Sequence, residues 1–403
     1  MKKGKSIWLV TGAVSILMLA CLLASPAPAA AQLPIKIGMP FSFTGPYAVL
    51  GTMQDQAARI VFNQKKLEVA GRKIELIGGD TAAKPDQTLS LTKKLVELDK
   101  VNVITGYIST SEAYAVRDYL DAKKVPTVVN AAGAEHSRKQ FSPYIFRTTP
   151  STYQWAYWTG KWWGQHGYKG KVIKKVAWVG SDYAGSREPY DAFKKGFEEA
   201  GGQIVQELWP PLTTTDYAPY VSPINVDKVD AVAVCIFGNN AVSYVRQWAD
   251  QGLKGRVPII GVGVVADEGA GLPAMGLNAE GMLWCYVSCP QTDIPENKEF
   301  VAAFRKVNGK FPSAYAYLSY ISAQAIYKAL EKVNGNVEDK DKFVKALETI
   351  EFTTPMGGKA RYDQKHAMVF DLILAETRRA NGECHLFEIG RIKDVRDPYS
   401  LFP

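Results

Sequence analysis

The feature that most constrains this chain is an alternation of short apolar runs with longer amphipathic stretches, which begins at residue 35 and restarts past residue 150. Runs at 35–40, 73–77, 101–104 and 126–129 read as strands. The stretch from about Thr52 places Met53, Ala57, Ile60 and Val61 at helical spacing, and 86–99 and 111–123 follow the same period. Short strands joined by helices bury both faces of a parallel sheet, so the pattern predicts an α/β, doubly wound, Rossmann-like lobe. The alternation then repeats, with a helix capped by Ser151, strands at 175–179, 203–207, 230–234 and 257–260, and helices at 186–200 and 240–252. Past Gly281 come a strand to about 287, helices at 296–308, 314–334 and 340–350, and strands at 368–375 and 384–390. A chain of 403 residues exceeds what one core accommodates. Two lobes with three crossovers, near 148, 287 and 358, are therefore expected: 32–148 plus 287–357 as lobe 1, and 149–286 plus 358–403 as lobe 2.

Residues 1–31 read as a signal peptide. Lys2, Lys3 and Lys5 precede an apolar run at 7–23 and a small-residue end at Ala29-x-Ala31, which predicts export to the periplasm and a mature start near Gln32. The run is shorter than the ~20 apolar residues of a membrane span and is followed by the helix breakers Pro26 and Pro28. Cys21 after Met18-Leu19-Ala20 loosely resembles a lipidation site. Apolar sequence continues past it, however, and the Ala-x-Ala site is better formed.

The formal net charge of +8 includes the three leader lysines, which leaves +5 on the remainder. Acidic and basic residues are interleaved without a basic block, so nucleic acid is not an expected partner. The sequence lacks His-Glu-x-x-His, Gly-x-Ser-x-Gly and phosphate-loop motifs, and His136, His166, His366 and His385 are scattered. Neither catalysis nor a cofactor or metal is expected. Cys285 and Cys289 fall four apart in a predicted strand, roughly 13 Å at ~3.3 Å per residue, too far to bridge each other; a bridge to Cys384 stays open. The stripe Trp155, Trp158, Trp162 reads as one packed helix face rather than a ligand cage.

Small, hydroxylic and aromatic residues collect where doubly wound lobes bind ligands, at the C-terminal ends of strands. Ser109, Thr110 and Ser111 open a helix and offer hydroxyls and backbone N–H groups to a carboxylate. Ala131, Ala132 and Gly133 follow the next strand, and their size lets a ligand approach the backbone. In the second lobe, 181–183 and Phe237 to Asn239 occupy the equivalent edge. Ordinary helix caps and turns are the competing reading of these loops.

Taken in order, Phe43 to Gly51, Gly106 to Ser111, Val125 to Val129, Tyr144 to Thr148, Asp182-Tyr183, Gln251 to Leu253, and Thr354 to Gly358 before Arg361-Tyr362-Asp363 resemble the solute-binding proteins of ABC importers, of the branched-chain amino acid (Leu/Ile/Val-binding) type. The resemblance implies a type I periplasmic binding protein fold, a small solute held between the lobes, an ABC permease in the membrane as partner, and a monomer. It implies that Thr110 receives a ligand carboxylate with backbone at Ala131 and Gly133, that Tyr183 acts as an aromatic lid, and that Tyr47 lines the cleft. The sequence departs from amino acid binders in two places. They carry an acid for the ligand ammonium just after the strand ending at Ile260, where this chain has Gly263, and a hydroxyl where it has Gly133. The ligand expected is thus a carboxylate lacking an α-ammonium, aromatic or aliphatic, with a branched-chain or other amino acid as the alternative. A ligand sensor docking on a receptor and an exported enzyme are the remaining readings.

Overall fold

The computed structural model describes residues 33–402, so the predicted leader and Cys21 lie outside the described residues. Two sheets organise the chain. The first contains β1 (Ile35–Phe41), β2 (Glu68–Val69), β3 (Arg72–Asp80), β4 (Val103–Gly106), β5 (Thr127–Val129) and β6 (Ile145–Arg147), in the order β2-β3-β1-β4-β5-β6. All neighbours are parallel except the β2–β3 hairpin. Helices α1 (Ala48–Gln64), α2 (Pro85–Glu97) and α3 (Thr110–Ala122) make the crossovers. Alternate residues separate the faces: Val103 and Val128 join the core with α1, whereas Ile104 and Val129 pack with Leu95, Val116 and Leu120.

The second sheet takes β7 (Lys175–Gly180), β8 (Gln203–Leu208), β9 (Ala231–Cys235), β10 (Ile259–Val262) and β11 (Leu283–Tyr286), all parallel, in the order β8-β7-β9-β10-β11. Helices α4 (Thr152–His166), α5 (Ala184–Glu199) and α6 (Gly238–Asp250) belong to this part. The chain then returns to the first sheet with α7 (Pro295–Asn308), α8 (Ala314–Lys332) and α9 (Lys340–Glu348). Ser319 Oγ donates to the Gln54 carbonyl of α1 at 2.9 Å and Ser322 Oγ to Asn130 Oδ1 at 2.6 Å, which fixes α8 beside α1. Strands β12 (Phe352–Thr353), β13 (Lys359–Tyr362), β14 (Met368–Ala380) and β15 (Glu383–Val395) complete the second sheet, antiparallel, with β14 against β11.

The architecture is the two-sheet, doubly wound fold expected from the alternation. Two local readings differ. β11 ends at Tyr286, so Cys289 lies outside it, and Cys235, Cys285, Cys289 and Cys384 are all free and buried. Strands β14 and β15 run 13 residues each, longer than read from sequence, because Asn381 and Gly382 both take positive φ (51° and 88°) and close a two-residue turn.

The strand junction after β6 is held by buried charge. Arg147 Nη2 reaches Asp397 at 3.0 Å, Arg138 reaches the same carboxylate at 2.6 Å, and the Arg147 N–H donates to the His366 carbonyl at 2.8 Å. Residues far apart in sequence are thereby joined where the chain leaves the first sheet.

Candidate functional site

In each sheet the strand order reverses beside the first strand, between β1 and β4 and between β7 and β9, which is where open α/β sheets leave a crevice. The candidate residues sit on the loops at these points. Tyr47 follows β1 and caps α1, and Ser109 to Ser111 follow β4. Tyr183 follows β7 and caps α5, and Phe237 follows β9 and caps α6. Ala131 to Gly133 follow β5, and Gly263 follows β10.

Close packing places these loops. A Cβ on Gly51 would lie 2.0 Å from the Ser42 carbonyl oxygen, so only glycine lets α1 begin this near β1. Asp80, at the end of β3, accepts from the Phe43 N–H at 2.7 Å and from Thr44 Oγ1 at 2.6 Å, which pins the loop carrying Tyr47. The Asn130 N–H donates to the Gly106 carbonyl at 2.9 Å and ties the loops after β4 and β5 together.

Ser109 is spent on the helix. Its hydroxyl accepts from the Glu112 N–H at 3.2 Å while Glu112 Oε2 accepts from the Ser109 N–H at 2.9 Å, a reciprocal capping box. Ser111 is exposed, with its hydroxyl 3.0 Å from that of Ser109. Thr110, the first helical residue, makes no side-chain bond of its own among the described residues, and its methyl group adjoins Gly133. Ala131 is fully buried and Ala132 half-buried.

Three phenols converge on this volume. Burial and then the Glu112 carboxylate push Tyr47 above its ordinary value; burial, with Cys235 and Tyr47 adding to it, pushes Tyr183 up to about 12. Tyr315, in the first turn of α8, is raised by burial and then by Tyr47, Asp267 and Tyr183. All three therefore stay protonated at neutral pH, and Tyr47 and Tyr183 remain 37% and 36% exposed.

The floor below Gly263 is aromatic. Gly263 has φ +85°, and a Cβ there would lie 3.0 Å from Phe237 Cε1 and 3.2 Å from Trp155 Cη2. Trp284 Nε1 donates to the Gly263 carbonyl, and Tyr286 stands edge-on to Trp155 with centroids 6.2 Å apart. Only Trp155 of the tryptophan stripe reaches the site. Trp158 donates to the Arg396 carbonyl at 2.9 Å and Trp162 packs toward Gly390 of β15.

Both acids that follow Gly263 are engaged. Asp267 accepts from the Ala314 N–H and the Gly269 N–H, each at 3.0 Å, and burial pushes it up to about 7. Glu268 accepts from Gln291 at 2.6 Å and from the Leu386 N–H at 3.0 Å, and His385 Nδ1 lies 2.7 Å from it.

The family model for periplasmic binding proteins matches residues 34–383. This chain belongs to that family. Such a periplasmic binding protein binds rather than transforms its ligand, and membership brings the periplasm as its place of work, a small-molecule ligand and a cognate ABC permease. Leu/Ile/Val-binding protein homolog 6 of Brucella melitensis is 30% identical over 374 residues, 90% of this chain and 93% of that one. The solute binding protein of an ABC transporter from Rhodopseudomonas palustris BisB5, solved with 3,4-dihydroxybenzoic acid, is 32% identical with a TM-score of 0.81, covering 91% of this chain and 99% of that one. Another R. palustris solute binding protein, solved with 4-hydroxybenzoate, is 31% identical with a TM-score of 0.80 over 91% and 99% of the two chains.

Sequence reasoning missed Tyr114, Tyr315, Trp284 and Tyr286. Their positions carry no local signal, because each lies within a helix or strand rather than on the loops where the sequence pattern directs the search.

Proposed function

We propose that this periplasmic binding protein captures a carboxylate without an α-ammonium, an aromatic acid in the first place, between its two sheets and delivers it to an ABC importer. The observation that carries this reading is the aromatic packing against Gly263, the position where amino acid binders place their acid. The space a side chain at 263 would enter is taken by Phe237 and Trp155, and the oxygens of Asp267 and Glu268 already accept other donors. An ammonium buried there without a counter-charge costs several kcal/mol, which disfavours leucine, isoleucine and valine. The aromatic floor and the ring of phenols suit a flat apolar body, and the benzoate-type acids held by the R. palustris proteins support the same class.

The chain segments on the two sheets would act as closing lobes. Thr110 with the backbone at Ala131 and Gly133 would receive the carboxylate, and Tyr183 and Tyr47 would close over it. The test is a thermal-shift screen of benzoate, 4-hydroxybenzoate, 3,4-dihydroxybenzoate, aliphatic acids and the branched-chain amino acids. A ligand at 100 times its Kd adds ~2.7 kcal/mol, a clear rise in Tm. Stabilisation by an amine-free acid is the expected result. Stabilisation by leucine and by no amine-free acid would overturn the proposal.

A further inference from the structure

Tyr114 lies one turn beyond Thr110 on the same face of α3. A Cβ built on Gly133 would fall 2.7 Å from Tyr114 Oη and 2.8 Å from Thr110 Cγ2, so the phenol and the threonine surround one point above Gly133. Gly133 itself has φ −52°, which any residue adopts. Contact, not backbone conformation, is therefore what a side chain at 133 would violate, and the nearest atom it would meet is the Tyr114 oxygen.

That oxygen accepts the Glu135 N–H at 3.2 Å and makes no other hydrogen bond among the described residues, so its own proton is free to be donated. Burial pushes the phenol up to about 12, and it keeps this proton at any physiological pH. The His136 ring backs it at a centroid distance of 4.7 Å, and the Glu188 carboxylate of α5 adds to the rise while Arg147 works against it.

The electrostatics of α3 make such a donor useful. Glu112 is fully buried in the first turn, and its carboxylate offsets the positive end of the helix dipole. Ser109 is committed to the cap. An anion at this end thus depends on neutral donors.

We infer that Tyr114 is a specificity-determining residue whose hydroxyl donates to the anionic end of the ligand beside Thr110, and that Gly133 is glycine to admit it. This inference rests on the carboxylate reading above. The test is calorimetric titration of the tightest-binding acid from the screen, and of its neutral amide, into wild type, Tyr114→Phe, Tyr114→Ala, Gly133→Ser and the Tyr114→Ala/Gly133→Ser double variant. A hydrogen bond to a charged group corresponds to roughly a ten- to hundredfold change in affinity, so Tyr114→Phe should weaken the acid by about that factor. The amide should be little affected, and the Tm of the free protein should fall only slightly, because the ring is retained while the Glu135 N–H loses its acceptor. Gly133→Ser alone should weaken binding by displacing the phenol. In the Tyr114→Ala background the same serine should recover part of the loss. Equal affinity of wild type and Tyr114→Phe for the acid overturns the inference and leaves the carboxylate reading standing. Wild type that binds leucine and no amine-free acid overturns that reading, and the inference with it.

Discussion

His136 shows how one residue sets a pH response. Its ring is 2% exposed, neither nitrogen has a partner among the described residues, and burial, then Arg147 and Arg117, lowers it to about 3. The native state holds it neutral while the unfolded chain protonates it below its ordinary 6.5. The unfolded state therefore binds more protons between about pH 6.5 and 3, and stability falls as the pH drops through that window. The fall in urea midpoint between pH 7 and 5 should be smaller in His136→Leu than in wild type. Equal falls would show that the imidazole does not titrate this way. In the sequence His136 is one of four scattered histidines with no marked role; its burial by Tyr114 and the Arg147 neighbourhood follows from contacts across the sheet that no local pattern encodes.

Among the elements, the α4–α5 pair was legible as two helices but not as a tight one. A Cβ on Gly160 would lie 2.2 Å from the Phe193 carbonyl oxygen, and one on Gly196 2.1 Å from that of Tyr157, so the helices touch backbone to backbone through glycine on both sides. Gly196→Ala must push them apart and should cost about 1–3 kcal/mol, read as a lower Tm with ligand affinity nearly unchanged. No loss of Tm would mean that the pair repacks freely. The capping box of Ser109 and Glu112 was readable as a serine three residues before a glutamate, and it turned a candidate ligand hydroxyl into a structural one. The Asn381-Gly382 turn carried an equally local signal, and the long β14–β15 hairpin follows from it.

At the scale of the whole molecule, the proposed site is split between segments more than 70 residues apart, with Thr110 on one sheet and Tyr183 on the other. Binding then has to select a state in which both touch the ligand. Thr110→Ala and Tyr183→Ala should each weaken the tightest ligand by about tenfold, as loss of one hydrogen bond or aromatic contact implies. Ligand should also compact wild type in small-angle scattering. If neither substitution alters affinity, the site is elsewhere. The sequence by itself determined the two α/β units and the loops at their strand ends, because periodicity and caps are local and repeat along the chain. Only the tertiary structure decided which chemistry those loops enclose. Phe237 and Trp155 against Gly263, the engaged carboxylates of Asp267 and Glu268, and the Tyr114 phenol beside Gly133 arise from contacts between elements distant in sequence, where packing rather than pattern chooses the neighbour.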